Sequence, residues 1–371
     1  MGQDIRFVLG GRTFKLNALE NNLDQVFIDL HAAYFGASPF NWDRLDKAAG
    51  VFLSNTPNRN FAHDLYFNNF AILWNNFLGS GNFDEAERIW QMALNPVLEF
   101  ESSNPGREAH KGTAYYCWGI TAILRGDIDK GYTLMHQAVE EDIATTGNQF
   151  PDTPAYAFAN LNFSKQDQTF RQWVVLQAQF LNTRLSNYST QYARSFSLEI
   201  LRTCFLNSPP STDIVFLFAF TIARLMRLSS APAYTLQSKF SGQLLINLFF
   251  DITLTIETAA KAKNPSGKSF INHAKFISQR VNNPLTINQL KQINSEFIRD
   301  FDGTLKATVD GSFVFQDGSP LNRIQSDIAV AYGIRNRGGH DVSSSPTVWK
   351  EFNKIEQTLL NVLFMTVDFA Y

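Results

Sequence analysis

Cysteine is nearly missing from this chain, with two residues, Cys117 and Cys204, in 371. They stand far apart, in no CxxC pair and with no histidine at zinc-ligand spacing. That excludes a disulfide framework and speaks against a zinc site. An excess of one charge is missing too: 32 Lys and Arg face 34 Asp and Glu, a formal net charge of −2. No global field draws the chain to nucleic acid, so any polyanion site has to be local. Long apolar runs are absent as well. The longest, Ile214 to Ala223, is closed by Arg224 and falls short of the roughly 20 residues a membrane span needs. No basic patch followed by an apolar stretch opens the chain, and Arg6 stands where a myristoylation site needs Ser or Thr. The expected location is the cytoplasm, with no membrane partner.

What is there is ordinary folding material, 44% hydrophobic and 18% charged. Such a chain is too apolar for disorder. At roughly 150 residues per domain its length predicts two or three domains. Phe supplies 34 residues against 6 Trp and 11 Tyr, pointing to Phe-rich helix packing.

Residues 1–18 alternate apolar and polar around Gly10-Gly11, which predicts a β-hairpin leader. From about Leu19 the apolar spacing turns to three and four, so 19–232 reads as a helical array. Within it, the stretch from Gly81-Asn-Phe-Asp matches in type the one from Gly126-Asp-Ile-Asp, an offset of 45, each preceded by an aromatic helix. This helix, Gly turn, helix unit resembles a tetratricopeptide repeat with a stretched period. Stacked units of that kind present a concave surface to a protein partner or activator. Ser229-Ser230-Ala231-Pro232 reads as a boundary, and 233–371 as a second domain. There, long and short helices surround a hairpin expected over Leu305 to Phe315, because Asp310-Gly311 suits a type I′ turn. A helix opened by Ser319 and Pro320 follows, stopped by Gly338-Gly339, and a last helix runs from about Pro346 to Phe369. The predicted fold class is all-α: a tetratricopeptide-like array, then a helical bundle carrying an inserted hairpin.

The candidate chemistry lies in Arg335-Asn336-Arg337-Gly338-Gly339-His340. Leu321, Ile324, Ile328 and Ala331 form a stripe whose next step lands on Arg335. A guanidinium on a buried stripe asks for an anion between helices. The double glycine lets the chain fold back so that His340, able to transfer protons near neutral pH, reaches the same crevice. The alternative is structural: an arginine in a last turn complements the helix dipole, and Gly-Gly is an ordinary C-cap.

The RNRGGH stretch, ending the penultimate helix of a C-terminal bundle, resembles the Arg-x(4–6)-His motif of the HEPN superfamily over about 238 to 371. The resemblance implies a homodimeric endoribonuclease working through its C-terminal helices, with neither metal nor cofactor. Two copies of Arg335 and His340 would face each other. Arg335 would hold the phosphate, His340 would serve as base or leaving-group acid, and Asn336 would orient them. Products would carry 2′,3′-cyclic phosphate and 5′-hydroxyl ends. The family's frequent place in prokaryotic defence implies a toxin or antiviral effector, held in check through the N-terminal helices. Val342 stands where nucleotidyltransferase-controlled HEPN toxins carry Tyr, so that mode of control is not implied.

Within 233–371, 14 Lys and Arg face 12 Asp and Glu. Lys261, Lys263, Lys268 and Lys275, with Arg280 and Arg337, are candidate RNA contacts; a solvated helix end is the competing reading. Gly267-Lys268-Ser269 lacks the leading Gly and the preceding strand of a P-loop. Asp251 and Glu257 point to different faces of their helix, and either can assist His340 across the bundle. His31, His63, His110, His136 and His273 are expected in structural roles. The competing function class is a non-catalytic scaffold that dimerises or binds RNA or nucleotide.

Overall fold

A computed structural model describes residues 4–19, 23–36, 39–147, 152–207, 210–230, 239–337 and 345–371 of the chain. Among them are seventeen α-helices and one two-stranded sheet. The chain divides into two compact units, one of residues 1–158 with 164–170, the other of 159–163 with 171–371. This division falls well before the boundary expected at residue 232.

The first unit opens with β1 (Ile5–Leu9) and β2 (Arg12–Leu16), paired antiparallel from Ile5 opposite Leu16 to Leu9 opposite Arg12. Gly10 and Gly11 take φ +56° and +78°, the expected tight turn. The hairpin is no detached leader. Phe14 is buried and its ring stacks on Phe7, while the Asn69 side chain bonds the backbone of Asn17 in both directions. Helices α1 (Leu23–Gly36) and α2 (Trp42–Asn55) follow, then two helical hairpins. They are α3 (Asp64–Gly79) with α4 (Phe83–Ser103), and α5 (Gly112–Arg125) with α6 (Ile128–Thr146).

The two hairpins turn in the same way. Gly81 and Gly126, at φ +75° and +100°, end the first helix of each pair, and the amides of Asn82 and Asp127 bond carbonyls five residues back, Phe77 and Ala122. Asn82 and Asp127 then cap the following helix, accepting from Glu85 and Lys130. The echo in the sequence is thus an echo in structure. Buried Glu87 of α4 accepts from Trp118 and Arg125 of α5 and from Lys130 of α6, joining the pairs. The unit's helices end with α7 (Pro154–Ala159).

The second unit is built on α8 (Gln168–Tyr192), α9 (Leu198–Leu201), α10 (Thr212–Ser229), α11 (Lys239–Lys263), α12 (Phe270–Arg280), α13 (Ile287–Arg299), α14 (Phe301–Val309), α15 (Arg323–Arg337), α16 (Pro346–Lys350) and α17 (Phe352–Ala370). Helix α17 is its axis: Thr358 to Val367 are all buried, so no face is left to solvent over that stretch. Acids on α17 fix α8 against it. Arg184 grips Glu356 through Nε at 2.7 Å and Nη2 at 3.0 Å, and Tyr188 donates to Asp368 at 2.9 Å. These contacts explain why 171–230 belong with the C-terminal helices.

Two expectations are corrected here. Leu305 to Phe315 is not a hairpin, because Asp300 caps α14 and Gly311, at φ +72°, ends it, with Ser312 N bonding Ala307 O. A glycine after a helix end and a glycine in a type I′ turn satisfy the same left-handed requirement. A single antiparallel bridge, Val314 to Pro320, is what remains of the β character. Helix α15 starts later than expected, capped by Asn322 rather than Ser319; Asn322 and Gln325 exchange backbone-to-side-chain bonds.

Among the described residues, one helix, Ser241–Lys263, is long and apolar enough to cross a membrane. Its apolar residues are used inside the unit: Leu245, Leu248, Phe249, Ile252 and Ile256 are buried, and the Phe249 ring stacks on Phe352 of α17.

Candidate functional site

The site is built where α15 emerges from the bundle. Ser326 to Ile334 are consecutively buried, so the expected single stripe is an enclosed helix, and Arg335 is the first residue after it to regain partial exposure. The Arg335 side chain is 27% exposed and Glu257 22%. The anion its position demanded is Glu257 of α11, which accepts from Nε at 2.7 Å. The guanidinium also lies 4.9 Å from the ring centre of Phe250, two turns back on the same face of α11. Ring and carboxylate fix the fork in position and orientation. Of its five donors, this contact uses Nε–H.

The Asn336 amide donates to Asn294 of α13 at 3.1 Å, and one turn before it stands Tyr332, whose ring stacks on Phe270 of α12. The approach of α13 depends on Gly333, where a Cβ would come within 2.4 Å of the Phe297 ring. His340 and the Arg337 side chain lie outside the described residues, so the structure brings together Arg335 and Asn336 and leaves the histidine unplaced.

Of the expected RNA contacts, Lys261 is exposed one turn beyond Glu257, in the last turn of α11. Lys263 sits 4.0 Å over the ring of Tyr371 and is thereby engaged inside its own chain. Lys268 is exposed in the link to α12, and Lys275 is half-buried on α12. Asp251 and Glu257 face apart as expected: Asp251 meets Arg224 of α10 at 3.2 Å, so Glu257 alone serves Arg335. His273 adds an imidazole that the sequence placed in the background. It is buried on α12, its Nδ1 has no hydrogen-bond partner among the described residues, and the charges of Glu257 and Lys261 both reach it. Burial holds its pKa below the usual histidine range.

No family model, curated protein or solved structure matches this chain. The functional reading therefore rests on the residues themselves. Among those described, no group of three His, Cys, Asp or Glu side chains is arranged to hold a metal ion. Helix α17, enclosed by its own unit, has no free face over Thr358 to Val367 for a second copy.

A second polar cluster occupies the first unit. His110 Nε2 lies 3.5 Å from Asp142 and 3.7 Å from Asp64, its Nδ1 lies 3.1 Å from Thr145 Oγ1, and Thr113 donates to Asp64. Lys111 meets Glu101 at 2.7 Å and Glu141 at 3.2 Å. Buried His63 accepts two backbone N–H groups at Nδ1, from Asn60 and His110. The ring nitrogens of His63 and His110 are thus engaged by groups of their own unit. Burial pushes Asp64 up to about 6 and Asp142 up to about 7, and it lowers His31, His63 and His110 to about 4.

The signs oppose. A carboxyl whose folded pKa is raised contributes stability that is complete below the unfolded value of 3.8 and lost as pH rises through the folded one. A histidine with a lowered pKa contributes stability complete above 6.5 and lost as pH falls toward 4. Near pH 7 the histidines have finished titrating, while Asp142 is still losing its proton. In urea unfolding, the advantage of Asp142→Asn over wild type is expected to grow by roughly 2.5 kcal/mol between pH 5 and pH 8. An equal difference at both pH values would refute the raised carboxyl.

The sequence offered one signal for the partner of Arg335. Glu257 is the sole acid beside a run of lysines near the end of an apolar helix, and a lone half-buried carboxylate asks for a cation. Nothing pointed to Phe250, Asn294 or Tyr332, which are common residues whose role exists only through packing.

Proposed function

We propose that the C-terminal helices form an HEPN-type, metal-independent endoribonuclease acting as a homodimer. The observation that carries the reading is the placement of Arg335. It sits at the emerging end of an otherwise enclosed helix, oriented by Glu257 and Phe250, next to Asn336, itself bonded to Asn294, and five residues before His340. With Nε committed to Glu257, the terminal nitrogens supply the two parallel donors that suit a phosphate. The RNA 2′-hydroxyl loses its proton to one histidine and attacks the adjacent phosphorus. Arg335 stabilises the charge on the equatorial oxygens, and the 5′-oxygen leaves as it takes up a proton. The products carry 2′,3′-cyclic phosphate and 5′-hydroxyl ends. Lys261, at the adjoining end of α11, lies where an RNA backbone would extend. The paired N-terminal hairpins are read as a tetratricopeptide-like array that receives a protein partner or activator, in a toxin or antiviral effector acting in the cytoplasm.

One observation favours the second reading, a non-catalytic helical scaffold: Glu257 already satisfies the charge of Arg335 without a ligand. Purified full-length protein incubated with mixed RNA and EDTA separates the two. The ribonuclease reading expects chelator-resistant cleavage giving 2′,3′-cyclic phosphate ends, lost in both His340→Ala and Arg335→Ala. Cleavage that persists in either variant, or that EDTA abolishes, would overturn it.

A further inference from the structure

Helices α8, α10, α15 and α17 of the second unit line an open cleft of about 540 Å³, within the range of small-molecule sites. Its lining residues are all of polar type: three cations, Arg184, Arg323 and Lys354, with amides that include Asn187, Gln191 and Gln357. Among the described residues no carboxylate and no apolar side chain lines it. The acids that balance the two arginines stand behind the wall. Glu356, fully buried, holds Arg184 through both oxygens, and Asp327, also buried, meets Arg323 Nε at 3.4 Å. Lys354 reaches Glu351 at 2.8 Å and Asp310 at 3.4 Å, neither of them in the lining. The amides are knit into the same frame: Asn187 donates to Gln357, which donates to the backbone oxygen of Arg184.

We infer that this cavity binds a soluble phosphorylated sugar or polyol. Cationic side chains anchored from behind keep their remaining N–H groups for phosphate oxygens, with part of the ordering cost of long side chains already met. Amide side chains match hydroxyl groups, which donate and accept as they do. The absence of an aromatic or aliphatic wall argues against a nucleobase, which binds by stacking, and against a lipid tail. The cavity is separate from Arg335: α15 carries Arg323 at its first residue and Arg335 twelve residues on, a rise of about 18 Å. The inference therefore stands whether or not the chain cleaves RNA.

Calorimetric titration of the full chain with fructose 1,6-bisphosphate and glucose 6-phosphate tests it, with glucose, AMP, inorganic phosphate and a single-stranded RNA oligonucleotide as comparators. The phosphorylated sugars are expected to bind with a Kd below about 1 mM. Binding should be at least about tenfold weaker in Arg323→Gln/Lys354→Gln, measured below the melting temperature of both proteins. Arg184 is left in place because Glu356 depends on it; should the double variant not fold, the two single variants, each expected about threefold weaker, serve instead. No binding by either sugar phosphate, binding undiminished by the substitutions, or equal or tighter binding of AMP, inorganic phosphate or RNA at this cavity would overturn the assignment.

Discussion

Replacing Arg184 by alanine is expected to destabilise the second unit by about 3–5 kcal/mol, the range found when one partner of a buried ion pair is removed. Glu356 is wholly buried on the axial helix, and Arg184 is the cation that compensates it, with Ser229 as a weaker second partner at 3.4 Å. Burial already raises the Glu356 pKa against the lowering effect of Arg184. Without the arginine, the carboxyl is expected to take up a proton rather than stay charged. The loss is then pH-dependent in a definite direction. A carboxyl raised further in the folded state loses stability as pH rises, so Arg184→Ala should be less damaging at pH 5 than at pH 8. Urea midpoints at both pH values check this, and Arg184→Met/Glu356→Gln should recover much of the loss by removing the buried charge with its partner. An exposed pair such as Arg88 with Glu85 should contribute under about 1 kcal/mol when broken. A loss below about 1 kcal/mol in Arg184→Ala would mean that water reaches Glu356.

That pair also shows why the domain organisation was only partly legible. Arg184 and Glu356 lie 172 residues apart, and no local pattern links them. Ser229 to Pro232 carries the composition of a linker, and composition reports local chain preference rather than which helices share a core. Local features fared better. The Gly10-Gly11 hairpin and the Gly81 and Gly126 turns were readable because each is decided by a few residues with special φ and a capping side chain. The same logic misled at Asp310-Gly311, where a left-handed glycine fits either a strand turn or a helix end; the Asp300 cap upstream decided for the helix. At the site, the periodicity correctly placed Arg335 at an interface needing an anion. It described one face, however, whereas α15 is buried all round, because α11, α12, α13, α14 and α17 all pack on it. Polarity close to the chemistry was harder still, since Asn294 and Tyr332 gain their roles only once Gly333 admits α13.

In the ribonuclease proposed above, Glu257→Gln is expected to lower RNA cleavage about 100-fold, the order of loss that follows when a reacting group is displaced by roughly 1 Å. The substitution keeps the size of the side chain and a neutral acceptor for Nε–H, but removes the charge that holds the Arg335 fork against Phe250. Glu257 acts through Arg335 and not on the phosphate, so kcat should carry the loss while KM stays near the wild-type value. Stability should move by no more than about 1 kcal/mol, since both members of the pair keep access to water and a neutral hydrogen bond survives. Glu257→Asp restores the charge at a shorter reach and should recover part of the rate, whereas Arg335→Ala removes the fork and should fall below both. A scaffold role for the pair makes the opposite set of demands. Activity in Glu257→Gln would then follow the folded fraction, KM and kcat would not separate, and Glu257→Asp would rank by melting temperature alone. Parallel single-turnover kinetics and thermal unfolding on the same three variants therefore decide what the arginine at the end of α15 is held there to do.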